Sequence, residues 1–77
     1  MDFPSLKARK FLALLKRKPL QYKVVRQSGS HRTLESPNGY PQIGLSYHDK
    51  DTVPPGVVRK YLLDHIGLGE EEAKDLL

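Results

Sequence analysis

The first apolar residues of the chain recur at a helical spacing. Between Ser5 and Arg17 they form one broad stripe, and basic residues fill the opposite side of the helix. Pro4 and Ser5 are typical of a helix start, and Pro19 is typical of the segment just beyond a helix end. The pattern therefore predicts a first helix over residues 5–17.

The pattern then changes to short stretches that favour strands. Strands are expected over residues 22–27, 30–36 and 42–47, because these stretches combine β-branched, aromatic and alternating residues. Ser28-Gly29 is expected to turn the chain between the first two strands. Asn38-Gly39 predicts a two-residue type I′ hairpin turn, in which both central residues need positive φ.

The last part of the chain predicts two helices. Apolar residues repeat every four positions in a helix over residues 55–66, and Gly67 follows as a C-terminal cap. A short helix over residues 70–77 carries acidic residues in its first turn, where the helix dipole favours them. The order α-β-β-β-α plus a short helix predicts one α+β domain over residues 1–77. Its three-stranded antiparallel sheet should carry the helices on one face.

The Asn-Gly turn fixes which residues of the second and third strands face each other. Leu34 then lies opposite Ile43, and Arg32 lies opposite Leu45. One face of the sheet collects the apolar residues and should pack beneath the helices, whereas the other face is polar. His31 belongs to the polar face, directly after a glycine turn, so we expect it to be open to a ligand.

His48 is a second candidate for chemistry. If the third strand continues to it, His48 is a diagonal neighbour of His31, about 7–8 Å away between backbones. Two imidazoles at that separation can flank a phosphodiester, one as general base and the other as general acid. The run from His48 to Asp51 has no third firm metal ligand, so we expect a solvated loop there rather than a metal site.

The other candidates share the ability to contact a phosphate: Arg26, Gly29, Ser30, Arg32 and Lys50. Gly29 lets a phosphate backbone approach the turn, and Ser30 offers a hydroxyl and an N–H. A two-residue turn places Arg26 outward opposite His31, whereas a longer turn places it inward. Arg32 starts on the helix-facing side and should reach round the end of the sheet. Both arginines are alternatively solvated charges that protect the sheet edge from aggregation.

Charge adds a class of partner to this picture. The 77 residues carry a formal charge of +4, and twelve of the thirteen Lys and Arg residues precede Asp64. A basic body favours a polyanionic partner, nucleic acid first. The chain has no cysteine, which excludes disulfides and thiolate zinc sites and fits a reducing cytoplasm. The longest apolar run has five residues, too short for a membrane span, so we expect a cytoplasmic protein without membrane contact.

Several short motifs follow one another in a specific order. They are Arg26-Gln27-Ser28-Gly29-Ser30-His31, Ser36-Pro37-Asn38-Gly39, His48-Asp49-Lys50-Asp51, Pro54-Pro55-Gly56 and Gly67-Leu68. Any one of them is weak, but the ordered set, which spans roughly residues 11–77, closely resembles the HicA toxin family, also called YcfA-like. One departure is the longer link over residues 18–22, where the family has a short Asn-Gly-aromatic connection.

The resemblance implies a fold similar to the double-stranded RNA-binding domain. It also implies an mRNA interferase that needs no metal or other cofactor, and a cognate HicB antitoxin encoded beside it. His31 matches the histidine of the family's Gly-Ser-His motif, and His48 matches a loop histidine. We therefore expect an RNA-cleaving toxin in which His31 is catalytic and His48 is its candidate partner. The alternatives are a non-catalytic RNA-binding module of the same fold and a protein-interaction domain with an acidic partner.

Overall fold

Within residues 3–77, which a computed structural model describes, the fold consists of two antiparallel sheets and three helical segments. The strands are β1 (Leu6–Lys7), β2 (Lys23–Ser28), β3 (His31–Glu35), β4 (Ile43–Leu45) and β5 (Thr52–Val53). The helices are α1 (Ala8–Lys16), α2 (Pro55–Arg59), which continues as a π-helical segment (Lys60–His65), and α3 (Glu70–Leu76).

The first helix starts later than the prediction because a short strand precedes it. β1 pairs with β5 in an antiparallel ribbon, in which Leu6 lies opposite Val53. Helix α1 begins at Ala8, and the Ala8 N–H donates a hydrogen bond to the Asp51 carbonyl at 2.8 Å. The loop before β5, rather than the Ser5 side chain, thus satisfies the start of the helix. A contact with the distant half of the chain overrides the local start signals.

The register predicted between the second and third strands of the main sheet is confirmed, but the turn between them is not. β3 lies between β2 and β4, and Leu34 pairs with Ile43. Gly39 has a φ of +87°, whereas Asn38 has no positive φ, so the turn is not of type I′. Residues 36–42 form a wider connection, and β4 is shorter than predicted, with three residues.

The wider connection is held by the segment that joins α1 to β2. Asn38 Nδ2 donates to the Pro19 carbonyl at 2.7 Å and to Gln21 Oε1 at 2.8 Å. The Ser36 hydroxyl donates to the Leu20 carbonyl. Gln21 has a φ of +52°, a conformation that residues other than glycine seldom adopt. The Asn-Gly segment therefore anchors the unusually long link instead of making the tight turn.

A single cluster of buried side chains joins the helices to one face of the main sheet. The helices contribute Phe11, Leu15 and Leu62, and the sheet contributes Leu34 and Leu45, all at most 1% exposed. Full burial of one such side chain stabilises the fold by about 1.5–3 kcal/mol. The predicted α+β architecture, with the apolar face of the sheet beneath the helices, is confirmed.

The C-terminal helix packs against this core. Gly67 has a φ of +89° and ends the preceding helical segment as predicted. In α3, Ala73 and Leu76 are buried. The Arg17 guanidinium donates to the Leu76 carbonyl at 2.6 Å, which links the end of α1 to the end of the chain. None of the helices in the described residues has the length and apolarity that crossing a bilayer requires.

Candidate functional site

His31 is the first residue of β3 and directly follows the turn at its start. Ser28 pairs with His31, so the two-residue loop is Gly29-Ser30, one residue later than predicted. Gly29 has a φ of +60°, and a Cβ there would meet no atom within 4 Å. Backbone conformation, not crowding, therefore accounts for the glycine. The His31 side chain is exposed and makes no hydrogen bond or ion pair with another residue in the range 3–77.

Arg26 lies on the same polar face as His31. Val24 lies opposite the buried Leu34, whereas Arg26, two residues later, lies opposite Thr33 of the polar face. A β-bulge between Val24 and Arg26 changes the side-chain alternation at this point. The orientation of Arg26, which the sequence leaves open, is thus outward, two residues along β2 from Ser28, the cross-strand partner of His31.

Arg32 lies on the helix-facing side of β3 and binds Asp49. Its side chain is only 11% exposed, and Nη2 donates to Asp49 Oδ1 at 2.6 Å. Nη1 is buried and has no hydrogen-bond partner among residues 3–77. The guanidinium therefore ties the start of β3 to the loop that follows β4. In this arrangement it is occupied by a carboxylate rather than exposed to a phosphate.

His48 begins the turn that this ion pair holds. The His48 N–H donates to Asp51 Oδ2, and the Asp51 N–H donates to the His48 carbonyl, both at 2.9 Å. Because β4 ends three residues before His48, the strand alternation expected to place it on the polar face does not reach it. The contact between Arg32 and Asp49 brings together the residues that follow the two histidines. No hydrogen bond joins the two imidazoles, both of which belong to the described range.

Lys50 lines an open surface pocket of about 590 Å³ together with Lys7, Arg9 and Asp49. The sequence pattern singles out Lys50 but assigns Lys7 and Arg9 to the outer side of the first helix. The pairing of β1 with β5 helps to bring these residues together. Two strands of two residues each leave no periodic signal in a sequence, so sequence reasoning missed this part of the surface.

The tyrosines contribute mainly to the core and not to an exposed stacking surface. Tyr22 is 2% exposed, and its hydroxyl donates to the Pro41 carbonyl at 2.6 Å. The Tyr61 hydroxyl donates to the Gly44 carbonyl at 2.6 Å. Burial is the main cause that raises the pKa of both hydroxyls. Tyr40 is partly buried against the core.

Comparison of the sequence with known protein families gives a match. Residues 8–68 match the family model described as HicA toxin of bacterial toxin-antitoxin. The matched segment includes the turn before His31, the loop with His48 and the second helix. Neither a curated protein nor a solved structure gives a significant match. Since the match covers well over half of the 77 residues, the chain belongs to the HicA family, the toxins of bacterial toxin–antitoxin systems.

Proposed function

We propose that this toxin is an endoribonuclease that cleaves RNA without a metal ion and uses His31 as its general base or acid. The observation that carries the proposal is the position of His31. Its exposed imidazole follows a tight turn on the polar sheet face and is not engaged by any residue in the range 3–77. A histidine placed for the core would lie on the opposite face, where Leu34 is fully buried.

The proposed reaction is an internal transfer at phosphorus. The general base takes the proton of a ribose 2′-hydroxyl, and the 2′-oxygen attacks the adjacent phosphorus. The bond from phosphorus to the 5′-oxygen of the next nucleotide breaks, and the general acid protonates that oxygen. The products are a 2′,3′-cyclic phosphate and a 5′-hydroxyl. Positioned proton transfer of this kind contributes typically 10²–10⁴-fold to a rate.

Arg26 is proposed to stabilise the charge that develops on the phosphoryl oxygens. It is exposed on the polar face, and a diagonal cross-strand neighbour of this kind lies about 7–8 Å from His31 between backbones, a distance that a long side chain can span. The Ser30 N–H and hydroxyl, on the turn itself, are proposed as further phosphate contacts, and Gly29 keeps the approach open.

His48 is proposed as the second proton-transfer group. The ion pair between Arg32 and Asp49 holds its loop against the start of β3. The imidazole itself is exposed and has no partner that fixes it within residues 3–77. A substrate phosphate would therefore have to orient it, so we expect His48 to contribute less to the rate than His31.

An antitoxin of the HicB type is proposed to inhibit the toxin by covering His31. The toxin carries a formal charge of +4, and Arg26 is exposed beside His31. Such a surface steers an acidic partner toward the histidine. If a complex leaves His31 open to solvent and RNA cleavage is still blocked, inhibition works by another route.

The test is cleavage of a labelled single-stranded RNA on a denaturing gel, with and without EDTA. The variants are H31A, H48A and the matched control H65A. His65 is an exposed histidine at the end of the π-helical segment, where its ring lies 5.1 Å from that of Tyr61. Circular dichroism establishes that each variant is folded.

We expect wild type and H65A to cleave equally in EDTA, and H31A to be slower by about 10²-fold or more. A folded H31A protein that cleaves at the wild-type rate refutes the assignment of His31. Loss of wild-type cleavage in EDTA refutes a metal-free reaction. Salt-sensitive RNA binding without any cleavage would instead identify a non-catalytic RNA-binding module. If the protein neither cleaves nor binds RNA, the remaining alternative is a protein-interaction domain.

A further inference from the structure

We propose that the pocket lined by Lys7, Arg9 and Lys50 binds a backbone phosphate of the RNA, outside the site of cleavage. The proposal rests on the proposed function in that RNA is the substrate. It adds a binding site that lies outside the histidine turn. Two of its three cations belong to a part of the chain that the sequence pattern assigns to an ordinary helix surface.

Contacts with the main chain gather the three cations from distant parts of the sequence. β1 carries Lys7, and its pairing with β5 places it beside the loop that carries Lys50. Lys7 Nζ donates to the Lys50 carbonyl at 3.3 Å. The Arg9 N–H contacts the carbonyl of Asp49 at 3.4 Å, which brings the first turn of α1 against the same loop. Strand pairing and hydrogen bonds to main-chain carbonyls therefore hold the cations together, without an ion pair between their side chains.

The basic side chains that line the pocket have no ion-pair partner in the described part of the protein. Among residues 3–77, Asp49 is the single acidic residue in the pocket lining, and its carboxylate is bound by Arg32. Lys7, Arg9 and Lys50 form no ion pair with any residue in that range. Like charges at close range repel, and a bound phosphate would relieve that repulsion.

The lining favours a phosphate over a base as the group that is bound. No aromatic side chain of the described residues lines the pocket, so bases have no surface there on which to stack. Lysine and arginine at an open surface bind phosphate oxygens and carry no sequence information. The volume of about 590 Å³ admits a phosphate together with its ribose. We therefore expect binding that does not depend on RNA sequence.

The pocket adjoins the strand that carries the proposed catalytic group. Asp49 forms part of the pocket wall and also contacts Arg32, which directly follows His31 in β3. Arg32 lies on the helix-facing side of β3 and His31 on the polar face, so an RNA strand that leaves the pocket would pass round the end of the sheet to reach the histidine turn. The pocket would thus hold one part of the strand while the chemistry takes place at another phosphate of the same strand.

The test compares two triple variants, both in an H31A background that keeps the RNA intact. The pocket variant replaces the three lining cations: K7Q, R9Q and K50Q. The control variant removes the same number and types of exposed cations elsewhere: K18Q, K23Q and R59Q. Fluorescence anisotropy measures the Kd of two unrelated single-stranded RNAs of about 12 nucleotides at a series of KCl concentrations. Circular dichroism and thermal unfolding verify the fold of each protein.

We expect the pocket variant to bind both RNAs more weakly than the control by the same factor. Its plot of log Kd against log salt should be flatter by about 0.7 for each phosphate that the substitutions leave unbound. Over a fourfold rise in salt, that change amounts to about a threefold smaller loss of affinity. The shared loss on two unrelated sequences is the result that a phosphate site predicts and a base-reading site does not.

Equal Kd values and equal salt slopes for the pocket and control variants would overturn the proposal. A loss on one RNA sequence alone would overturn it as well, since the pocket would then read bases. Calorimetry could show that the pocket variant no longer binds inorganic phosphate although it binds RNA as tightly as the control. The pocket would then be a small-anion site and not an RNA site. These outcomes do not depend on cleavage, so a toxin that fails to cleave RNA refutes the proposed reaction and leaves this proposal standing.

Discussion

Removal of Asp49 should destabilise the protein more than removal of its partner Arg32. The Arg32 side chain is 11% exposed, and one of its terminal nitrogens is buried without a partner within residues 3–77. The Asp49 side chain is 57% exposed. An isolated carboxylate at that exposure is solvated by water. An isolated guanidinium at the position of Arg32 stays largely buried with nothing to compensate its charge.

The expected free-energy changes follow from these exposures. Breaking a buried ion pair by removal of one partner costs about 3–5 kcal/mol, whereas an exposed pair contributes about 0.2–1 kcal/mol. The pair has one buried and one exposed member, so we expect D49A to lower the free energy of unfolding by about 1–2 kcal/mol. R32M keeps the apolar stem and removes the buried charge together with its unpaired nitrogen. We expect that variant to stay within about 0.5 kcal/mol of wild type.

Urea unfolding of wild type, D49A, R32M and the double variant measures the two effects and their coupling. For a domain of this size, a loss of about 1–2 kcal/mol corresponds to a fall in Tm of about 4–16 °C. The double variant should match R32M alone, because Asp49 has no buried charge left to compensate. The reasoning is refuted if D49A unfolds like wild type while R32M loses about 2 kcal/mol or more.

Three further perturbations test the fold around the site. N38A should lower the free energy of unfolding by about 1 kcal/mol, because the side-chain hydrogen bonds that hold the link before β2 disappear. RNA cleavage per folded molecule should stay unchanged. Urea unfolding measures the first effect and the gel assay the second. At Gly29, with φ of +60° and open space around it, valine should cost about 1–2 kcal/mol of unfolding free energy and asparagine much less. Finally, burial raises the pKa of Tyr22 and Tyr61 above 10, so the unfolded chain loses those protons first. Stability should be intact below pH 10 and fall above it, and urea unfolding of Y22F at alkaline pH should show a smaller fall.

The elements that local patterns specify could be predicted from the sequence. The alternation in β3 and β4 fixes which face is buried, and the pairing of Leu34 with Ile43 follows from it. That pairing is correct even though the turn type that suggested it is wrong. The apolar face alone would exclude a shift by one residue, since Leu34 would then face solvent. Hydrophobic patterning was therefore the stronger constraint, and the Asn-Gly signal was redundant.

What could not be predicted depends on contacts between distant parts of the chain. Asn38 leaves its expected turn conformation because its side chain reaches Gln21 in the link after α1. Helix α1 starts at Ala8 because β5 pairs with the residues before it. The candidate site divides in the same way. His31 and the turn before it are local features, whereas the partner of Arg32 and the cations beside Lys50 are not.

This division predicts that chemistry and substrate binding can be altered separately. His31 and Arg26 belong to the hairpin of β2 and β3. Lys7 belongs to β1, in the ribbon of β1 and β5, and Lys50 lies in the loop just before β5. Within the described residues the two sheets share no strand, and the ion pair between β3 and that loop is a side-chain contact that joins them. Changes in the hairpin should therefore alter the rate at which bound RNA is cleaved. Changes at the ribbon should alter the affinity of the protein for RNA. D49A, which breaks the contact between the two parts, should change both the cleavage rate and the affinity.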